Sequence, residues 1–309
     1  MYYPYFRGKQ YELLTIRECA DLLKAASFIP IIEPVKEALS GLERALEAIS
    51  SAEGSAIVIL NPSYGNYSGD GEAICSLFRD KFAVGENIIP GILLSESISL
   101  VEIEEMLKRL ERRTVSLIHS GFSDAAGLKS LVDKFPNIES HIFIEKHCGK
   151  LYQKKFKLGK KVLLRDGFTK RPNREYPPLE FFSDLHATYA EEGVAGFGDY
   201  LMVGDDYSDG GGPAYAVAIH LTFINADEEM HIHHFVSNTN DTPKDPAKKF
   251  AEALDKLILA VNAFGSDILN TSAVIEFKDL HAKGHFPGLG YVKKLSMKHH
   301  IETLMDYFK

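Results

Sequence analysis

Eight short apolar runs punctuate the first 205 residues at nearly regular intervals, with amphipathic stretches between them. They enter near residues 2, 28, 55, 88, 114, 140, 160 and 196. Runs such as 28–34 (FIPIIEP), 56–61 (AIVILN) and 88–95 (IIPGILLS) are apolar almost throughout, as strands buried on both faces must be. The runs at 115–119, 141–145 and 161–165 continue the series, and 2–7 and 198–203 bracket it. Helical spacing follows at 11–26, 39–49, 72–82, 98–112 and 124–135, the last with Ser123 as N-cap, and again at 181–191. Strands that alternate with helices predict a parallel sheet, and eight of them favour closure into a (β/α)8 TIM-like barrel over residues 1–205. The alternative is a doubly wound open sheet. No GxGxxG or Walker-type loop follows any strand, which removes its usual support.

The last third breaks this rhythm. Residues 205–213 (DDYSDGGGP) are turn-rich, 214–224 and 230–236 read as a β-hairpin, and helical patterns occupy 247–261, 272–281 and 293–307 around the Gly/Pro loop 285–290. Residues 206–309 are therefore expected to form an appended α+β segment. A chain of 309 residues accommodates this plan, since such barrels need about 250.

Three cysteines, Cys19, Cys75 and Cys148, are far apart and form no CxxC pair, which argues against a zinc ribbon or a disulfide framework. The N-terminal residues lack a basic leader followed by an apolar stretch, and no run of apolar residues is long enough to span a bilayer. A cytoplasmic location without membrane partners is the expectation. The net charge of −8 argues at first against nucleic acid. Residues 146–174 reverse that reading, because eleven Lys and Arg face the single Asp166, a net +10 that leaves −18 for the remainder.

In a closed barrel the C-terminal ends of the strands surround the usual site. Those ends carry Arg7 and Lys9, Glu33, Asn61, Ser95 and Glu96, His119, Glu145 and Lys146, Arg165 and Asp166, and Asp199 or Asp205. So many ionisable groups make either a polar pocket or a paired structural network. Glu33, His119, Glu145 and Arg165 are the candidate catalytic residues. Glu33 and Glu145 are each a carboxylate after a buried run, suited to general-base work or to sharing one magnesium ion, though the sequence requires no cofactor. An ion pair with Arg7 or Arg165 is the structural reading of the same residues. Arg165 is the candidate phosphate or carboxylate clamp, because Asp166 beside it must point the other way.

Arg7, Lys9, Asn61, Lys154, Lys155, Lys160 and Lys161 are the candidate ligand-binding residues. Lys9 also stands where some barrels hold a Schiff base. Tyr152, Phe156 and Phe168 lie among the lysines, and aromatic faces among cations suit stacking on unpaired bases. Elsewhere, His231 and His233 share one strand face and His220 on the preceding strand is expected to join them, a spacing compatible with zinc or with a polar hairpin face. Of His299 and His300, one is expected packed and the other exposed. Cys148 after His147 is a candidate nucleophile, and Gly210–Gly212 a lid, an anion nest or a plain connector.

Three passages carry a family resemblance. The opening Tyr3-Pro4-Tyr5-Phe6-Arg7-Gly8-Lys9-Gln10-Tyr11-Glu12, then Pro30-Ile31-Ile32-Glu33, and finally Gly290-Tyr291-Val292 through Leu295-Ser296-Met297-Lys298-His299-His300 resemble motifs of the "beta protein" superfamily of phages, prophages and bacterial mobile islands. That family usually carries Trp near these places and this chain has none, which points to a divergent bacterial branch. The resemblance implies a barrel, a phage-defence or prophage module and a protein partner from the same operon. It brings no catalytic residues. Two functions follow from the sequence. One is recognition of an anionic, phosphate-bearing ligand such as nucleic acid or nucleotide. The other is a metal-assisted hydrolase of phosphoesters or related bonds.

Overall fold

The computed structural model describes residues 1–82 and 85–309. Its strands are β1 Tyr5–Phe6, β2 Ile31–Ile32, β3 Ala56–Ile59, β4 Ile88–Ser95, β5 Val115–Ser120, β6 Ile138–Ile144, β7 Lys160–Leu164, β8 Leu179–Ser183, β9 Gly196–Gly198, β10 Ala218–Ile224 and β11 Met230–Val236. The helices are α1 Gln10–Glu18, α2 Ala20–Ala25, α3 Ser40–Ser51, α4 Glu72–Lys81, α5 Leu100–Arg109, α6 Ala125–Val132, α7 Lys150–Gln153, α8 Leu185–Thr188, α9 Pro246–Val261, α10 Ser272–Lys283 and α11 Leu289–Tyr307.

Eight strands form one parallel sheet in the order β1-β2-β3-β4-β5-β6-β7-β9. Tyr2 bridges Phe197 in parallel, and Tyr3 N–H and Tyr5 N–H donate to the carbonyls of Phe197 and Asp199 at 2.8 and 2.9 Å. These bonds bring the last strand to the first, so the fold is an α/β TIM-like barrel. The seam needs glycine. A Cβ on Gly198 would collide with the Tyr3 carbonyl, and one on Gly196 would lie 2.7 Å from the Tyr3 ring.

Local chemistry explains where elements depart from their expected bounds. β1 is short because Pro4 has no N–H to add to the ladder, which leaves Tyr2 as an isolated bridge. The expected helix 11–26 breaks in two at Cys19, whose φ of −100° and ψ of 9° leave the helical region. The N-cap of α6 is Asp124 rather than Ser123, and its carboxylate accepts from Gly127 N–H at 2.8 Å. The last barrel strand is 196–198 rather than 198–203, since the chain turns away at Leu201 (φ 51°) and Gly204 (φ 74°). The expected helix 181–191 is instead β8 followed by the short α8, because residues 179–183 pair antiparallel with β11.

The chain divides into two compact units, 1–165 with 188–199, and 166–187 with 200–309. The division differs from a simple break at 205, since the excursion between β7 and β9 belongs to the second unit. The Asp166 carboxylate begins that excursion by accepting from Phe168 N–H at 2.9 Å and Asp205 N–H at 2.7 Å. The second unit contains the sheet β10-β11-β8, in which β10 and β11 are the hairpin expected from sequence and β11 is the central strand. Its core joins Ile219 and Leu221 to Phe250, Leu254, Phe277 and Leu295 from the three long helices. Full burial of each such side chain stabilises by about 1.5–3 kcal/mol. Among the described residues no helix is long and apolar enough to cross a membrane.

Candidate functional site

β1 and β2 deliver the first group of strand-end charges. Glu33 is fully buried. Its Oε2 accepts from the Tyr5 hydroxyl at 2.8 Å and from Arg7 Nη1 at 2.5 Å, and its Oε1 accepts from Ser63 N–H at 2.9 Å. The Arg7 guanidinium also lies under the Tyr64 ring, 4.6 Å from its centroid, and Arg7 N–H donates to Glu12 at 2.5 Å. A carboxylate saturated in this way is an ion-pair anchor. Removing one partner from such a buried pair costs about 3–5 kcal/mol.

Asn61 is equally committed. Its amide donates to Leu93 C=O at 2.9 Å and accepts from Leu93 N–H at 2.8 Å, so it extends the β3–β4 ladder with a side chain. Lys9 is the half-buried N-cap residue of α1 and makes no side-chain cap.

Glu145 and Arg165 form a separate network at the ends of β6 and β7. Arg165 binds Glu145 in bidentate fashion, Nε to Oε2 at 2.7 Å and Nη2 to Oε1 at 3.0 Å. Nη2 also reaches Glu192 at 3.5 Å, and Lys150 binds the other Glu192 oxygen at 2.8 Å. The Lys150 hydrogen bond holds the Glu192 carboxyl below its usual range. Arg165 and Glu145 keep 27 % and 35 % of their side-chain surface exposed, so the pair is solvated. Among the described residues Glu33 is held by Arg7, Tyr5 and Ser63, whereas Arg165 is held by Glu145 and Glu192, so the two belong to separate networks.

His119 is fully buried on the face of β5 that α7 and Phe156 cover. Its Nε2 meets His141 Nδ1 at 2.9 Å, its Nδ1 meets the Tyr152 hydroxyl at 2.9 Å, and its ring stacks on Phe143 at 4.5 Å. Burial, with His141 beside it, holds the His119 pKa well below the ordinary value. His141 is pushed down to about 4 by burial and the Lys161 charge. The Cys148 thiol donates to the His119 carbonyl at 3.2 Å, and burial pushes its pKa up to about 11. A buried thiol held in this way is a weak nucleophile, since the reactive form is the thiolate.

The basic segment is oriented by the same cluster. Tyr152 and Phe156 pack on His119, and Phe168 is buried against Tyr176 and His220. Phe156 and Phe168 are buried and offer no face for stacking on bases, and half-buried Tyr152 is engaged by His119 and Phe156. Tyr152 in α7 and Phe156 just after it turn inward onto His119, while Lys154, Lys155 and Lys157 between and beside them are exposed. Lys160 binds Glu139 at 2.7 Å, and Lys161 donates to Gln153 C=O at 3.4 Å. Lys154, Lys155 and Lys157 are exposed, and among the described residues no acidic side chain pairs with them. Leu151 and Leu158 flank them, 81 % and 71 % exposed.

In the second unit the register places His220 opposite His234, so the expected grouping of His220 with His231 and His233 does not form. His231 binds Glu229 at 3.1 Å, and His233 lies 3.4 Å from the Pro178 carbonyl. His234 reaches Glu180 at 2.9 Å. Sequence reasoning missed both Glu180 and His234. The signal was present in the hairpin, because counting back from Ile224↔Met230 reaches His220↔His234. His299 and His300 are both fully buried. Thr222 C=O and Thr271 hold the first, and the Thr222 hydroxyl the second. A Cβ on Gly210, Gly211 or Gly212 would meet nothing, as in a plain connector. Among the described residues no three His, Cys, Asp or Glu side chains converge as a metal-binding group. No family model and no curated protein matches this chain.

Proposed function

We propose that this barrel recognises an anionic, phosphate-bearing ligand, nucleic acid above all, within a phage–host conflict module. The exposed trio Lys154, Lys155 and Lys157 carries the reading. It is cationic surface that no described carboxylate pairs with, on a segment anchored from within by Tyr152 and Phe156. Uncompensated lysines repel one another unless an anion joins them. The three resembling passages support the phage–host setting and a protein partner from the same operon. With the aromatic side chains turned inward, affinity rests on phosphates, so binding is expected to depend little on base sequence. The metal-assisted alternative needs Glu33 and Glu145 on one ion, and an arginine already holds each of them.

The test is fluorescence anisotropy of labelled single-stranded and duplex oligonucleotides at low salt. Saturable binding of either, similar across sequences, is the expected result. No binding at low salt refutes the proposal.

A further inference from the structure

β10 and β11 bring two imidazoles together in the second unit. His220 Nδ1 and His234 Nδ1 are 2.6 Å apart, so one of them carries a hydrogen and the other offers a lone pair. Glu180 decides which. Its Oε1 lies 2.9 Å from His234 Nε2, and its Oε2 accepts from Arg171 Nη2 at 2.8 Å, an ion pair that keeps the carboxylate an acceptor. His234 therefore carries its hydrogen on Nε2 and accepts at Nδ1. His220 must then carry its hydrogen on Nδ1, which leaves a lone pair on its Nε2. No described residue is bonded to that nitrogen, and His220 keeps 9 % of its surface exposed. Phe168 and Tyr176 meet its ring edge-on at 5.2 and 4.8 Å and fix its plane. The charged and titratable neighbours of the pair are Glu180, Arg171, Tyr176, His233 and Lys293. Burial, His234 and the Lys293 charge keep His220 neutral.

We propose that Glu180, His234 and His220 form a proton relay whose outer nitrogen, His220 Nε2, accepts a proton from a hydroxyl ligand, water included. The O–H bond of the ligand breaks, its proton bonds to Nε2, and the electron pair stays on oxygen. The Nδ1 hydrogen of His220 then passes to His234 Nδ1, and the imidazolium so formed keeps its Nε2 hydrogen in the bond to Glu180, so the new positive charge settles beside a carboxylate. His220 is the proton acceptor, and His234 and Glu180 are positioning residues. This site uses none of the lysines of the anion-recognition reading.

The test has two parts on the full chain. Long-range nitrogen–proton NMR on the 15N-labelled protein at neutral pH reads the tautomers directly. The expected result is an unprotonated Nε2 on His220 and a protonated Nε2 on His234. Diethyl pyrocarbonate labelling, read by mass spectrometry with the exposed His281 as internal standard, then reports the reactivity of the lone pair. Labelling at His220 should fall about tenfold or more in Glu180→Gln, whose amide can hold His234 in the other tautomer. A hydrogen on His220 Nε2 in the wild-type spectrum overturns the proposal. So does a His220 that stays unlabelled while His281 reacts fully, or one labelled equally in both proteins. The NMR measurement needs no variant, so it decides the matter even if Glu180→Gln fails to fold.

Discussion

The strand ends of the barrel and the segment 154–157 both concentrate charge, and they treat it differently. At the strand ends, Glu33 is bound by Arg7 and Glu145 by Arg165, so each carboxylate has an arginine of its own. In the lysine segment, Lys154, Lys155 and Lys157 face solvent without a described carboxylate. A ring of ionisable groups at a barrel mouth therefore does not by itself make a site. What separates structure from recognition is whether the charge has been answered within the chain.

Removing a buried partner gives the largest expected effect. Glu33→Gln leaves the Arg7 guanidinium buried against a neutral amide and should lower stability by about 3–5 kcal/mol in urea unfolding. A change below about 1 kcal/mol would mean that Glu33 is not a structural anchor, and would reopen it as a catalytic group.

The buried histidines extend the contrast to pH. His141 and His299 are each pushed down to about 4 by burial, and His119 and His220 lie well below their ordinary value of 6.5. The unfolded chain takes up these protons near pH 6.5, whereas the folded chain resists until about 4 at His141 and His299 and to well below 6.5 at His119 and His220. Stability is therefore full above pH 6.5 and declines as pH falls toward 4. A displacement like that of His141 corresponds to about 3 kcal/mol. Urea midpoints at pH 7.5 and 4.5 measure the decline. The His119→Phe variant should narrow the gap between the two midpoints, and an unchanged gap would remove His119 from this account.

The solvated pair gives a small effect. Glu145→Gln should cost about 0–1 kcal/mol, because exposed ion pairs contribute little. A loss as large as that of Glu33→Gln would erase the distinction between the two networks.

The barrel was legible because parallel strands, covered on both faces, read as continuous apolar runs at βα spacing. The same double burial hid the direction of His119, since β5 is buried along almost its whole length and its alternation carries no sign of inside or outside. β8 was obscured by its brevity and by Pro177 and Pro178 before it, and its pairing partner lies about fifty residues downstream. The Glu33–Arg7 pair was one of two open readings, and only the pairing of β1 with β2 chooses between them. The lysine cluster was visible as charge. The inward turn of Tyr152 and Phe156 was not, because a single helical turn has no periodicity to read. In the second unit the hairpin register did contain the His220–His234 pair, whereas Glu180 comes from a strand that sequence alone assigned to a loop and helix.

Anion recognition, as proposed, falls to Lys154, Lys155 and Lys157, which no described carboxylate pairs with. The most direct measurement is oligonucleotide affinity across a salt series for the wild type and for Lys154→Ser/Lys155→Ser/Lys157→Ser. Because no described carboxylate pairs with these lysines, the variant should melt like the wild type, within about 0.5 kcal/mol. Its plot of log affinity against log salt should be shallower by about 2–3, close to one for each phosphate that a lysine no longer neutralises. Identical slopes for the two proteins, at equal stability, would contradict the account.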